Sequence, residues 1–172
     1  MKRSTALPVA YTVLRVLIAL NWAYLAVLIA ILGGSLTNEQ WTFRALGVPV
    51  SDQTGALVMG MRAIAALGIL TVPLNLMMLK RLVAMVHTVR AGDPFVADNA
   101  YRMNTIAWVL LGLQIIGLII WSIGKAVSTP AHPLHLNAGF SPAGWLAVVM
   151  TFVLARVFAK GTLMREDLEG TV

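Results

Sequence analysis

Cysteine is absent from all 172 residues, which excludes disulfides, thiol nucleophiles and cysteine-ligated metals. Charge is scarce as well. Asp, Glu, Lys and Arg together make up 12% of the chain, against ~25% in ordinary soluble domains. Only seven residues are acidic. What is abundant is apolar: 59% of residues are hydrophobic, and the mean hydropathy is +0.82. A soluble fold of 18.5 kDa leaves much of its surface wet and has no place to hide this much apolar area. The composition therefore excludes a soluble globular domain, a disordered chain and a fibrous repeat. The net charge of +6 is not gathered into a dense basic run, so it points to a membrane surface before nucleic acid.

Four apolar stretches carry the hydropathy, at about residues 9–32, 57–79, 103–123 and 143–159. A bilayer core takes about 20 helical residues to cross, and 17–25 are tolerated. Lipid offers no partner to a bare peptide group, so such segments must be helices. The expected fold is an all-α integral-membrane four-helix up-and-down bundle, one domain over residues 1–172. The first stretch follows Lys2 and Arg3 as a signal peptide would. It is too long for a signal core and has no clean cleavage site, so it is expected to be retained. Helix punctuation sets the expected boundaries. Gly33-Gly34-Ser35 should end the first helix, and Gly92 before Asp93-Pro94 should end an extension of the second. Ser141-Pro142 should open the fourth helix and Gly161 should close it. Pro73 should kink the second. Gly60, Ala63, Gly68, Gly112 and Gly117 suit close helix contacts.

The positive charges give an orientation. Lys2, Arg3, Lys80, Arg81, Arg90, Arg102, Lys160 and Arg165 fall on one side of the four stretches, and Arg44 and Lys125 on the other. Basic residues favour the cytoplasmic side, so both termini, the loop 80–102 and the tail 160–172 should face the cytoplasm. Trp41, Phe43 and Trp145 would then sit at the outer interface, while Trp22 and Trp108 lie deeper and are expected to pack.

Within the stretches, Asn21 lies ~18 Å and Gln114 ~16 Å from the cytoplasmic ends of their helices. At nearly equal depth, they should face inward and hydrogen-bond to each other or to a backbone carbonyl. Asn75 is a third amide at depth. Arg15, Arg62 and Arg156 lie off-centre, where they can snorkel. Arg15 and Arg156 could alternatively form a basic inner pocket for a lipid headgroup or the acidic tail. No Asp, Glu, Lys or His lies inside any stretch. That removes the buried titratable group a proton-coupled carrier needs, and the residues of an intramembrane aspartyl or serine protease. His132 and His135 have no acidic or thiol ligand beside them, so no metal site is expected. His87 reads as a lone solvated or lipid-facing residue. Neither enzymatic activity nor a cofactor is expected.

The cytoplasmic face holds most of the remaining polar chemistry. The second helix should continue past Leu79, with Leu82, Val83, Val86 and Val89 on an apolar stripe and Lys80, Arg81 and Arg90 opposite. Asp98 or Asn99 can cap the third helix, and Phe95 or Val96 can dock back as a staple. Gly92, Pro94-Phe95, Asn99 and Arg102 resemble the loop motif of the DUF2975 family of membrane proteins. The end of the chain is similar too: Leu154-Ala155-Arg156-Val157-Phe158, Gly161, and Leu163 through Val172 with its terminal Asp-Leu-Glu-Gly-Thr-Val. The resemblance implies a bacterial inner-membrane protein without established activity. It also implies a partnership with a small helix-turn-helix transcriptional regulator, with no direct contact to nucleic acid. The contact surface would combine Gly92, Pro94, Phe95, Asn99 and Arg102 with Arg165, Glu166, Asp167, Leu168, Thr171 and Val172. A second reading is a small transporter, channel or immunity-type protein acting on lipid or an amphipathic molecule. It requires a polar cavity around Asn21, Asn75 and Gln114.

Overall fold

The computed structural model describes residues 6–45, 47, 55–128 and 139–169. The described residues are almost entirely helical. The elements are α1 (Ala6–Thr37), α2 (Glu39–Ala45), α3 (Gly55–Arg90), α4 (Ala97–Val127) and α5 (Pro142–Glu169). Four of them, α1, α3, α4 and α5, are long and apolar enough to cross a membrane, with mean hydropathy of 2.3, 1.9, 2.3 and 1.7 over their most apolar windows. This is the architecture expected of a multi-pass membrane protein.

The helices outrun the apolar stretches, because backbone hydrogen bonds continue wherever nothing interrupts them. Gly33-Gly34-Ser35 does not end α1, which runs on to Thr37. There the Thr37 hydroxyl donates to the carbonyls of Gly33 and Gly34. Asn38 then caps α2 by accepting the Trp41 N–H on its side-chain oxygen at 3.1 Å. Gly161 likewise fails to close α5, and the tail is helical to Glu169. Pro73 lies inside α3, which is helical on both sides of it. The remaining boundary signals hold. Pro142 is the first residue of α5. Gly92 terminates α3 in the left-handed conformation, φ 86°. The Gly92 N–H donates to Val89 and the Asp93 N–H to Thr88, the paired bonds of a Schellman motif. Any other residue at Gly92 would be strained.

The chain divides into two compact units. One comprises Met1–Leu20, Leu74–Gly112 and Pro142–Val172. Its buried apolar residues are Leu79, Ile106, Ala107, Val109, Val148 and Ala155. The other comprises Asn21–Pro73 and Leu113–Ser141, with Leu57, Val58, Ala65, Val72 and Ile116 buried. In the second unit two glycines allow close helix approach. A Cβ on Gly60 would lie 2.7 and 2.8 Å from the Val127 methyls, and one on Gly68 2.9 Å from Leu28. Gly112 and Gly117, expected at similar contacts, face open space. Large apolar side chains point outward all along α1, including Val13, Leu17, Leu20, Val27 and Ile29. Trp22, expected to pack, is also exposed.

Candidate docking surface and polar contacts

In the first unit the loop between α3 and α4 and the far end of α5 form one surface. Pro94 and the Gly92 stop turn the chain so that Phe95 lies against α5. Its ring is 5.7 Å from that of Phe158. The absence of a side chain at Gly161 makes room for it: a Cβ there would stand 2.8 Å from the Phe95 ring. Such aromatic pairs contribute about 0.5–1.5 kcal/mol beyond simple burial. Arg165, one turn further along α5, pairs with Asp93 of the loop. The expected docking of Phe95 is therefore present, and its receptor is α5. Glu166 and Asp167 are exposed on the same helical extension. The Leu168 side chain, Thr171 and Val172 lie outside the described residues.

Asn99 locks the loop from beneath. It is wholly buried. It is not the helix cap anticipated from sequence, because α4 already begins at Ala97. Its amide donates to the Thr88 hydroxyl at 2.7 Å and to the Pro94 carbonyl at 2.9 Å. Its oxygen accepts from Arg102 at 2.8 Å. Arg102 also holds Asp98 at 3.0 Å, so Asp98 is an ion-pair partner rather than a cap. Replacing Asn99 by Leu takes the donor from the Pro94 carbonyl and the acceptor from Arg102, while the Thr88 hydroxyl keeps its own bond to the Met85 carbonyl. The expected loss is about 1–3 kcal/mol, read by reversible unfolding in mixed micelles.

Tyr11 is a hub that sequence reading missed. Its hydroxyl accepts from Arg15 at 3.0 and 2.7 Å. The His87 ring stands edge-on to it at 5.3 Å, and the Arg90 guanidinium lies 6.0 Å from its ring centre. His87 is thus not a lone residue. Arg81 lies 5.5 Å from the Tyr101 ring centre. Basic residues stacked on tyrosine keep their charge outward while burying their stems.

The second unit holds two further buried polar contacts, at Asn21 and Ser35. Asn21 donates to the Val72 carbonyl at 3.2 Å, immediately before Pro73. The expectation of a backbone acceptor holds for Asn21. Gln114 is half-buried and has no hydrogen bond among the described residues, so the two amides do not pair. Arg62 does not snorkel free. It donates to the hydroxyl of Ser35 at 2.7 Å, to the Ser35 carbonyl, and to Glu39 at 2.9 Å. Ser35 is 2% exposed. Its carbonyl belongs to the last turn of α1, where helix geometry leaves acceptors without an internal donor, and a cation also suits that end of the helix dipole. Glu39 was legible as a candidate partner, being one of two acids between the first two apolar stretches.

Arg15 and Arg156 do not share a pocket. Arg15 is committed to Tyr11, while Arg156 lines a groove between α4 and α5 with Ala100, Asn104, Trp108, Phe152 and neighbouring small residues. Neither that groove nor the small cavity beside Ser35 and Arg62 is lined by Asn21, Asn75 or Gln114. His132 and His135 lie outside the described residues. No family model, curated protein or solved structure matches the chain.

Proposed function

We propose that this chain is a non-enzymatic multi-pass protein of the bacterial inner membrane whose α3–α4 loop and α5 extension present a docking surface to a cytoplasmic protein. The observation that carries this reading is the junction of Phe95 with Gly161 and Phe158, reinforced by Asp93 and Arg165. It joins two segments far apart in sequence into one surface, beside which α5 continues as a helix with Glu166 and Asp167 exposed. The charge distribution supports a cytoplasmic position for that surface, since Arg81, Arg90, Arg102 and Arg165 all belong to its unit. A small helix-turn-helix regulator, the partner class implied by the resemblance to the DUF2975 family, fits the charge: its basic DNA-reading face complements Glu166 and Asp167.

The test is affinity purification of the full chain from its native membranes. The intact protein should retain a helix-turn-helix regulator. Reversing both acids, Glu166→Lys with Asp167→Lys, should lower recovery about tenfold, equivalent to ~1.4 kcal/mol, while membrane content stays unchanged. Equal recovery by both forms, or no such regulator with either, refutes the adaptor role. A reporter fused after Val172 should be active in the cytoplasm; activity in the periplasm refutes the orientation.

A further inference from the structure

We infer that the groove between α4 and α5 binds a single anionic glycerophospholipid, with its phosphate on Arg156 and Asn104 and an acyl chain running along Val153, Phe152 and Trp108. The inference rests on the membrane reading above and adds a ligand site to it. The groove has a volume of about 660 Å³ and is lined by Ala100, Asn104 and Trp108 of α4 and by Phe152, Val153, Ala155, Arg156 and Ala159 of α5. That volume is in the ~300–1,000 Å³ range of small-molecule sites. All of these residues belong to one unit.

The groove is ordered along its length. The helices run antiparallel, and Trp108 meets Phe152 edge-to-face with ring centres 5.3 Å apart. One turn away on each helix come Asn104 and Arg156, which that register sets at the same level. A further turn brings Ala100 and Ala159, whose small side chains leave the groove open. Polar groups thus occupy one level and apolar ones the next, ~6 Å deeper by helical rise. Asn104 and Arg156 both lie near the boundary of their apolar stretches, at headgroup level.

The charge identifies the occupant. Every other arginine inside an apolar stretch has a protein partner: Arg15 has Tyr11, and Arg62 has Ser35 and Glu39. Arg156 has no hydrogen bond or ion pair among the described residues, and neither does Asn104. An arginine at this depth with no protein partner is stabilised by an anion, and guanidinium binds phosphate in a two-point geometry. An amide donor beside it supplies a further hydrogen bond. A zwitterionic lipid brings its own cation and fits this site less well.

The experiment uses the full chain in vesicles, with Trp22, Trp41, Trp121 and Trp145 replaced by Phe so that Trp108 alone reports. Lipids brominated on the acyl chain quench it on contact. Brominated phosphatidylglycerol should quench at about fivefold lower mole fraction than brominated phosphatidylcholine, the effect of one guanidinium on an anionic headgroup. Arg156→Gln should abolish that preference, whereas Lys160→Gln, an equal loss of charge outside the groove, should leave it. Equal quenching by the two lipids overturns the site, as does an equal effect of the two substitutions or displacement by inorganic phosphate alone. Vesicle flotation separates this from the underlying reading: a chain that fails to float with lipid refutes membrane insertion, while one that floats without preference refutes only the lipid site.

Discussion

Gly60→Leu is expected to prevent accumulation of the folded protein in membranes. A Cβ at this position would fall within 2.7–2.8 Å of both Val127 methyls and 3.2 Å from its Cβ. Val127 cannot swing away. Its β-branched side chain is stiff in a helix, and the contact reaches the Cβ, which no rotamer moves. The helices must therefore separate, which breaks the packing of Leu57, Val58 and Ala65 in the same unit. Overpacking by one methyl costs about 1–3 kcal/mol, so Gly60→Ala should lower stability measurably and the larger Leu should exceed what the fold tolerates. Gly112 supplies the contrast. Nothing lies within 4 Å of its Cβ position. Gly112→Ala should be neutral or stabilising by up to ~1 kcal/mol through helix propensity. Quantitative blotting of membranes, with unfolding in mixed micelles, measures both. Equal accumulation of Gly60→Leu and the parent chain would mean that α3 and α4 do not approach at this point.

Arg62→Leu is expected to cost about 2–3 kcal/mol, in the range found when buried polar groups lose their hydrogen-bond donor. The loss is not the salt bridge alone, because Glu39 is partly exposed and such pairs contribute little. It comes mostly from Ser35, whose hydroxyl and carbonyl are left without their donor at 2% exposure. Glu39→Gln should therefore cost much less than Arg62→Leu, roughly 1 kcal/mol or below. Arg62→Lys should be intermediate, since an ammonium keeps the charge and loses the fork that reaches serine and glutamate together. Unfolding of the three variants in the same micelles gives the ranking. A cost for Glu39→Gln equal to that for Arg62→Leu would assign the energy to charge pairing instead.

Both effects depend on contacts that hydropathy does not reveal. The apolar stretches were visible because lipid-crossing helices need a length and composition that few other segments have. The stop at Gly92 was visible because a left-handed residue followed by Asp-Pro has a local cause. The ends of α1 and α5 depart from their glycine signals for a related reason. Gly33, Gly34 and Gly161 looked like terminators, yet glycine permits a helix end without imposing one, and here the chain keeps its helical hydrogen bonds. Gly161 serves instead as the flat seat for Phe95. Asn99 looked like a cap, and the loop geometry turned it into a buried bridge to Thr88 and Pro94.

Sequence alone therefore determined what is local and cumulative: four helices able to cross a membrane, an asymmetric distribution of basic residues, and the turn after α3. Tertiary structure decided which polar side chains meet. Arg62 found Ser35 and Glu39, Asn21 found Val72 rather than Gln114, and Arg156 was parted from Arg15 and set in the α4–α5 groove. The physical reason is rotation. These helices are apolar on nearly every face, so no amphipathic stripe specifies how each turns about its own axis. Only the packing of small residues against neighbours, such as Gly60 on Val127 and Gly161 on Phe95, sets those rotations and with them the partners of every buried polar group.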